Sequence, residues 1–142
     1  MRKPRVLVIC TGNSMRSQLA EGVLRAELGD QIDVFSAGTH PSSVHPLTIA
    51  ALEEVGMDAS KHRSKSVNEF RDAEMDLVIT VCDSARESCP VFPGAKKTVH
   101  RGYPDPIYLS PGDDPAHYFA ELRELMRREL KELVVRALNL ET

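Results

Sequence analysis

Three scarcities in this sequence each exclude a class of protein. Basic residues are not in excess: 18 Lys and Arg stand against 21 Asp and Glu, a net charge of −3 with a pI near 5.9. Proteins that neutralise a nucleic-acid backbone or an anionic membrane carry the opposite imbalance, so neither partner is expected. A small anion can still be held locally. Long apolar runs are missing as well. The run over residues 6–10 is far below the roughly 18 residues of a membrane span and too short for a signal-peptide core. A cytoplasmic location is therefore the expectation. Cysteine is scarce and odd in number, three in 142 residues. In a reducing compartment permanent disulfides are not expected, which leaves Cys10, Cys82 and Cys89 as buried filler or as chemistry. His40, His45, His62, His100 and His117 are scattered at no spacing a zinc site uses, so no metal is expected. There is no repeat and no low-complexity tract, and at about 150 residues per domain residues 1–142 make one domain.

Arg5-Val-Leu-Val-Ile-Cys10 is continuous, apolar and β-branched, the pattern of a strand buried on both faces of a parallel sheet. It runs into the turn formers Thr11-Gly-Asn-Ser14 and then into residues 15–28. There Leu19, Val23, Leu24 and Leu28 recur at near-helical spacing, with Gly29 as the stop. Residues 32–38 read as a second strand. Residues 46–55 read as a helix with Pro46 in its first turn and Gly56 at its end. A short helical piece over 67–73 precedes a third strand, Asp76-Leu-Val-Ile-Thr-Val-Cys82, and Lys97-Thr-Val-His100 is a weaker fourth. The last helix opens at Asp113-Asp114-Pro115 and sets Phe119, Leu122, Met126, Leu130, Leu133 and Leu138 on one face. Arg123, Glu124, Arg127, Arg128, Lys131 and Glu132 form an opposite, solvated face, with Glu124 and Arg128 at i, i+4 spacing. Strands alternating with helices predict an α/β three-layer sandwich with a central parallel sheet of about four strands. Ligands bind such sheets beyond the carboxyl ends of the strands. Cys10 and Cys82 both fall at such ends.

Cys10-Thr-Gly-Asn-Ser-Met-Arg16 has the form Cys-x5-Arg, which as a bare pattern says little. Its context makes it specific. A loop that follows a strand and opens a helix can turn successive backbone N–H groups toward one centre, with the positive helix terminus beneath. Thr11, Gly12, Asn13, Ser14, Met15, Arg16 and Ser17 would then line an oxyanion cradle. Gly12 permits close approach, Asn13 tolerates left-handed backbone, and Arg16 offers two parallel N–H donors to a tetrahedral oxyanion. Donors, helix terminus and guanidinium all stabilise negative charge on sulfur, which suits Cys10 to act as a nucleophile.

With Gln18 and Ala20-Glu-Gly22 added, this segment resembles the active site of the low-molecular-weight protein tyrosine phosphatase family. More narrowly, it resembles the thioredoxin-coupled arsenate reductases built on that fold. The resemblance covers nearly the whole chain, through Ser36-Ala-Gly38, residues 76–82, Cys89-Pro90 and Asp105-Pro106. Two features separate reductase from phosphatase: phosphatases usually have proline where Gln18 stands, and they lack the pair Cys82 and Cys89. The resemblance implies a single catalytic domain in which Cys10 attacks arsenic, Arg16 and the loop amides hold the oxygens, and Ser17 hydrogen-bonds the Cys10 sulfur. Asp105 would protonate the departing oxygen, which requires burial or a neighbouring oxyanion to raise its pKa. Cys82 would then attack the Cys10 sulfur and release arsenite, Cys89 would resolve that disulfide, and reduced thioredoxin or a similar dithiol protein would reduce the last one. No tightly bound cofactor is implied, and a monomer is expected. If residues 82–89 form a helix when reduced, seven residues of rise separate the two α-carbons by about 10.5 Å. A disulfide needs less than about 7 Å, so the segment is expected to unwind partly on oxidation.

The chain departs from the family pattern at two points. Several relatives carry a further cysteine where Met15 stands, so here all three thiols belong to the relay. Some members hold potassium beside the loop through an Asn, a Glu, a Ser and an Asp; Asn13, Glu21 and Ser36 match the first three, but Lys65 takes the fourth position. Its ammonium would replace the cation, pairing with Glu21 and orienting Asn13. The alternative reading is a phosphatase acting on phosphotyrosine or small phosphomonoesters, and the shared loop implies weak activity of that kind in either case. A non-catalytic scaffold is disfavoured because Cys10, Arg16 and Asp105 are all present.

Overall fold

The computed structural model describes residues 3–13, 15–59, 62–81, 92, 94–103 and 114–140. Strands β1 (Arg5–Cys10), β2 (Asp33–Gly38), β3 (Leu77–Thr80) and β4 (Thr98–His100) form one sheet in the order β2-β1-β3-β4, parallel throughout. Helices α1 (Arg16–Leu28), α2 (Pro46–Glu53) and α3 (Pro115–Leu138) and one 3-10 turn (Val67–Phe70) complete the described elements. The α/β architecture and the four parallel strands agree with the sequence pattern. Among the described residues, no helix is long and apolar enough to cross a membrane.

The side-chain period of two explains why β1 is apolar throughout. Val6, Val8 and Cys10 enter one core with α1, α2 and α3, while Leu7 and Ile9 enter a second with Ala37, Met75, Val78 and Phe92. Val67 and Phe70 of the 3-10 turn pack on that second core. Residues 67–73 were expected to be helical, and only Val67–Phe70 are, in the tighter 3-10 form, with the Ser66 hydroxyl accepting from the Asn68 N–H at 3.1 Å.

Helix ends follow local chemistry. Asp114 caps α3 by accepting from the Ala116 N–H at 3.0 Å, and Pro115 occupies its first position. Gly56, at φ +78°, reverses the chain after α2, where Met57 N–H reaches the Leu52 carbonyl at 3.0 Å. Gly29 differs: it ends α1 in right-handed conformation, φ −61°, so no glycine-specific reversal operates there.

The last helix corrects three expectations. Its buried stripe is Phe119, Leu122, Met126, Leu130 and Val134, with Leu133 and Leu138 only partly buried at its margin. Arg123 is not on a solvated face. It is 6% exposed, and its Nη1 donates to the Ala51 carbonyl at 2.8 Å, in the last turn of α2. Glu124 pairs with Arg123 and Arg127 rather than with Arg128.

Candidate active site

The order β2-β1-β3-β4 reverses direction between β1 and β3, and Cys10 lies at the carboxyl end of β1, beside that switch point. Its thiol is free and buried, 2% exposed. The loop that follows is held from outside. The Thr11 carbonyl accepts from the His40 N–H at 2.9 Å, and the Gly12 carbonyl accepts from the Ser42 N–H at 3.2 Å and the Ser64 hydroxyl at 3.0 Å. Because C=O and N–H point opposite ways across a trans peptide, these anchors turn the Gly12 and Asn13 N–H groups to the inner side of the loop. Asn13 adopts the left-handed backbone anticipated for it, φ 47°. Helix α1 starts at Arg16 with Met15 as N-cap, and a methionine side chain offers the first-turn N–H groups no acceptor.

Gly38 makes this packing possible. It pairs with Cys10 across β1 and β2, and a Cβ added to it would sit 2.4 Å from the Thr11 oxygen and 2.8 Å from the Asn13 nitrogen. Only a residue without a side chain lets β2 approach the loop so closely.

Asn13 is the centre of the polar network behind the loop. Its Nδ2 donates to Ser17 Oγ at 2.8 Å and to Ser36 Oγ at 2.9 Å. Its Oδ1 accepts from the Lys65 backbone N–H at 2.7 Å and from Gln18 Nε2 at 2.9 Å. Ser17 Oγ lies 2.9 Å from Cys10 Sγ, and Ser36 Oγ donates to Glu21 Oε1 at 2.6 Å. The Lys65 ammonium stands 3.4 Å from Glu21 Oε1 and donates to the Arg63 carbonyl at 2.9 Å. The ammonium therefore meets Glu21, but Asn13 is oriented by the Lys65 backbone instead.

A potassium ion does not fit between these groups. Asn13 presents its nitrogen, not its oxygen, to Ser36, and an ammonium already faces Glu21. Burial pushes the Glu21 carboxyl up, but Lys65, the Ser36 hydroxyl, Arg25 and His62 together outweigh it and hold it below the usual carboxylate range. Burial pushes His62 down; Glu21 opposes this, while Arg25 and Lys65 reinforce it, so its net position is below the ordinary imidazole range.

Arg16 is 3% exposed, and its Nη1 donates to the Tyr103 carbonyl at 3.1 Å. Tyr103 is fixed in turn: its N–H donates to the Val81 carbonyl at 3.1 Å and its hydroxyl to Glu129 Oε1 at 3.1 Å. Burial, then Glu129, pushes its phenol well above the usual range. The guanidinium is thus tied to a backbone position two residues before Asp105 in sequence.

The structure sets Cys10 at the end of β1, Thr11, Gly12, Asn13 and Met15 in the loop that follows, and Arg16 and Ser17 at the start of α1, with Lys65, Glu21 and Ser36 behind them. Ser14, Cys82, Cys89 and Asp105 lie outside the described residues. Sequence pattern gives no signal for His62, Ser64 or Tyr103, because their contacts join segments 44 to 87 residues apart.

A strand-loop-helix cradle around a cysteine at a parallel-sheet switch point defines an oxyanion-handling, cysteine-based enzyme class. Residues 5–142 match the model of the low molecular weight phosphotyrosine protein phosphatase family, and the chain belongs to that family. A curated relative, arsenate reductase 2 of Staphylococcus saprophyticus, is 44% identical over 132 residues, 93% of this chain and 97% of that protein. Among solved structures, an arsenate reductase in its phosphate-binding state superimposes with a TM-score of 0.79 at 28% identity, covering 94% of this chain and 98% of that one. The thioredoxin-dependent arsenate reductase of Corynebacterium glutamicum superimposes with a TM-score of 0.69 at 29% identity, over 94% of this chain and 63% of that one.

Proposed function

We propose that the protein reduces arsenate to arsenite with a thioredoxin-like dithiol protein as reductant. The observation that carries this reading is the buried free thiol of Cys10, with the Ser17 hydroxyl at 2.9 Å and, at the start of α1, a buried Arg16 guanidinium held by the Tyr103 carbonyl. The curated relatives, arsenate reductases at 36% and 44% identity over nine-tenths of the chain, support the choice of substrate.

The Cys10 thiolate attacks arsenic while Arg16 and the loop N–H groups of residues 11–17 neutralise the arsenate oxygens. Asp105 donates its proton to the departing oxygen, which leaves as water. Cys82 attacks the Cys10 sulfur, and the sulfur–arsenic bond breaks with its electron pair on arsenic, so As(V) becomes As(III) as a Cys10–Cys82 disulfide forms. Cys89 displaces Cys10, leaving a Cys82–Cys89 disulfide, and the external dithiol reduces that bond. Residues 82–89 lie outside the described residues; if they are helical when reduced, partial unwinding on oxidation would bring the Cys82 and Cys89 α-carbons within bonding distance. The Lys65 ammonium takes the place of a cation beside Glu21, so replacing sodium by potassium is expected to leave turnover unchanged; stimulation by potassium would count against it.

The test is arsenate-dependent NADPH oxidation in the presence of thioredoxin and its reductase. Wild type should sustain many turnovers, and Cys82→Ser and Cys89→Ser should each lose them while keeping weak hydrolysis of an aryl phosphate. Aryl phosphatase turnover in wild type with no arsenate-dependent oxidation would instead make the protein a phosphatase.

A further inference from the structure

Behind the Cys10 loop runs a hydrogen-bond chain whose direction is fixed by two backbone groups. At one end Gln18 Nε2 donates to the Arg63 carbonyl at 2.7 Å, and a carbonyl can only accept. The same nitrogen spends its second hydrogen on Asn13 Oδ1 at 2.9 Å. Asn13 Oδ1 also receives the Lys65 backbone N–H at 2.7 Å, and a backbone N–H can only donate. Flipping either amide would set donor against donor or acceptor against acceptor, so both orientations are determined. Asn13 Nδ2 then spends its two hydrogens on Ser17 Oγ and Ser36 Oγ. Ser17 Oγ accepts from Asn13, and toward a Cys10 thiolate, which has no hydrogen to give, it donates its own across 2.9 Å.

The far end of the chain is His62. With both Gln18 hydrogens used, Gln18 Oε1 must accept, and the atom facing it at 2.8 Å is His62 Nδ1. That nitrogen therefore carries a hydrogen. His62 Nε2 faces Arg25 Nη1 at 3.4 Å and Glu21 Oε2 at 3.7 Å, and Lys65 and Asp58 are the other charged groups acting on the ring. Among the described residues, no side-chain nitrogen or oxygen buried in this region lacks a partner.

We propose that Gln18 and His62 are positioning residues for the Cys10 nucleophile, enforcing a chain of single polarity that presents the Ser17 hydroxyl proton to the Cys10 sulfur. Neither touches the reacting atoms. Gln18 holds Asn13 by its amide, Asn13 holds Ser17, and His62 completes the valence of Gln18. This deepens the reading of Cys10 as the attacking thiol and rests on it. It also gives a physical purpose to glutamine at position 18: a residue without side-chain donors removes one of two donors from Asn13 Oδ1, leaving it the Lys65 N–H alone to fix its orientation, and one of two from the Arg63 carbonyl, leaving it the Lys65 ammonium.

The test is alkylation of the reduced full-length protein by iodoacetamide, read on the Cys10 peptide by mass spectrometry across pH. Gln18→Leu should slow Cys10 alkylation at pH 7 about three- to tenfold, the scale of one weakened hydrogen bond to a charged group, and move the profile to higher pH. Gln18→Glu should act likewise, because its carboxylate cannot donate to Asn13 or Arg63. His62→Ala should shift the profile in the same direction by less. His62→Asn, whose amide nitrogen falls where Nδ1 stood, should restore most of the rate lost in His62→Ala. Wild-type profiles in Gln18→Leu and Gln18→Glu overturn the proposal, as does a fall in thermal stability with no movement of the profile. If the Gln18 variants do not fold, the histidine pair decides, and equal profiles for His62→Ala and His62→Asn overturn it. Alkylation is read whether or not the protein turns over arsenate. A wild type that reduces no arsenate therefore refutes the functional reading and leaves this comparison standing.

Discussion

Replacing Gly38 by alanine should separate the geometry of the loop from the stability of the fold. The new Cβ would lie 2.4 Å from the Thr11 carbonyl oxygen, 2.8 Å from the Asn13 nitrogen and 3.1 Å from Asn13 Cβ, roughly 1 Å inside an ordinary contact. Neither side can yield easily. Strand β2 is fixed there by pairing of Gly38 with Cys10 and by the Gly38 N–H on the Lys65 carbonyl at 2.8 Å, and the clashing atoms are loop backbone. Overpacking of this kind costs about 1–3 kcal/mol, which for a chain of this size lowers Tm by about 3–10 °C. The larger effect is on rate: moving the cradle by roughly 1 Å from its productive position costs on the order of a hundredfold. Gly56→Ala is the control. A Cβ there meets nothing within 4 Å, but φ is +78°, so it should cost about 1–2 kcal/mol of backbone strain and leave turnover intact. Thermal unfolding and arsenate-dependent NADPH oxidation read both variants, with aryl phosphate hydrolysis as a check independent of the relay. Wild-type turnover in Gly38→Ala would refute the argument, since the loop would then tolerate retreat from β2.

Further outcomes follow from the buried charges and thiols. Lys65→Met leaves the 3%-exposed Glu21 carboxylate with Arg25 as its close cation and should cost about 1–3 kcal/mol, less than a fully broken buried pair because Arg25 remains; an unchanged urea midpoint would count against the pairing. Because the folded Glu21 pKa is depressed, the unfolded chain binds the extra proton. Its contribution is therefore present above the ordinary carboxylate pKa and lost as pH falls through the folded value. His62, also lowered, adds a loss of the same sign as pH falls below its ordinary value of 6.5. Urea unfolding between pH 7 and pH 3 should show both, and a flat profile would contradict them. Met15→Cys supplies a fourth thiol beside Cys10 and should lose more activity than wild type after peroxide exposure; equal losses would show that a spare thiol in the loop is harmless.

The fold was legible wherever a signal is local. β1 announces itself by five consecutive buried residues, and α1 by Leu19, Val23, Leu24 and Leu28, because periodicity reports which face of one element is covered. The front of the site was legible for the same reason: Cys10, Asn13, Arg16 and Ser17 share a strand, a loop and a first helical turn. Its back was not. Gln18 and Glu21 lie on the polar side of α1, yet both are buried, because residues 62–65 fold over them from more than 40 positions away. Helical periodicity holds no information about that cover.

Arg123 failed by the same logic, in a way that has a physical cause. Its neighbours Glu124, Arg127 and Arg128 are charged, and a charged helix face is ordinarily solvated. α2 ends against this face, however, and the Ala51 carbonyl in its last turn needs a donor. The guanidinium supplies one at 2.8 Å, and the side chain is buried with it. A cation at the carboxyl end of a helix also meets the negative end of the helix dipole, so burial of Arg123 is offset at the point where it occurs. Gln18 and Arg123 share one rule: each is buried where a distant backbone carbonyl takes its donor. The Arg63 carbonyl takes it from Gln18 and the Ala51 carbonyl from Arg123, while the Lys65 N–H donates to Asn13. In the site, this pattern fixes the Asn13 amide so that Ser17 Oγ accepts from it and gives its own proton to a Cys10 thiolate.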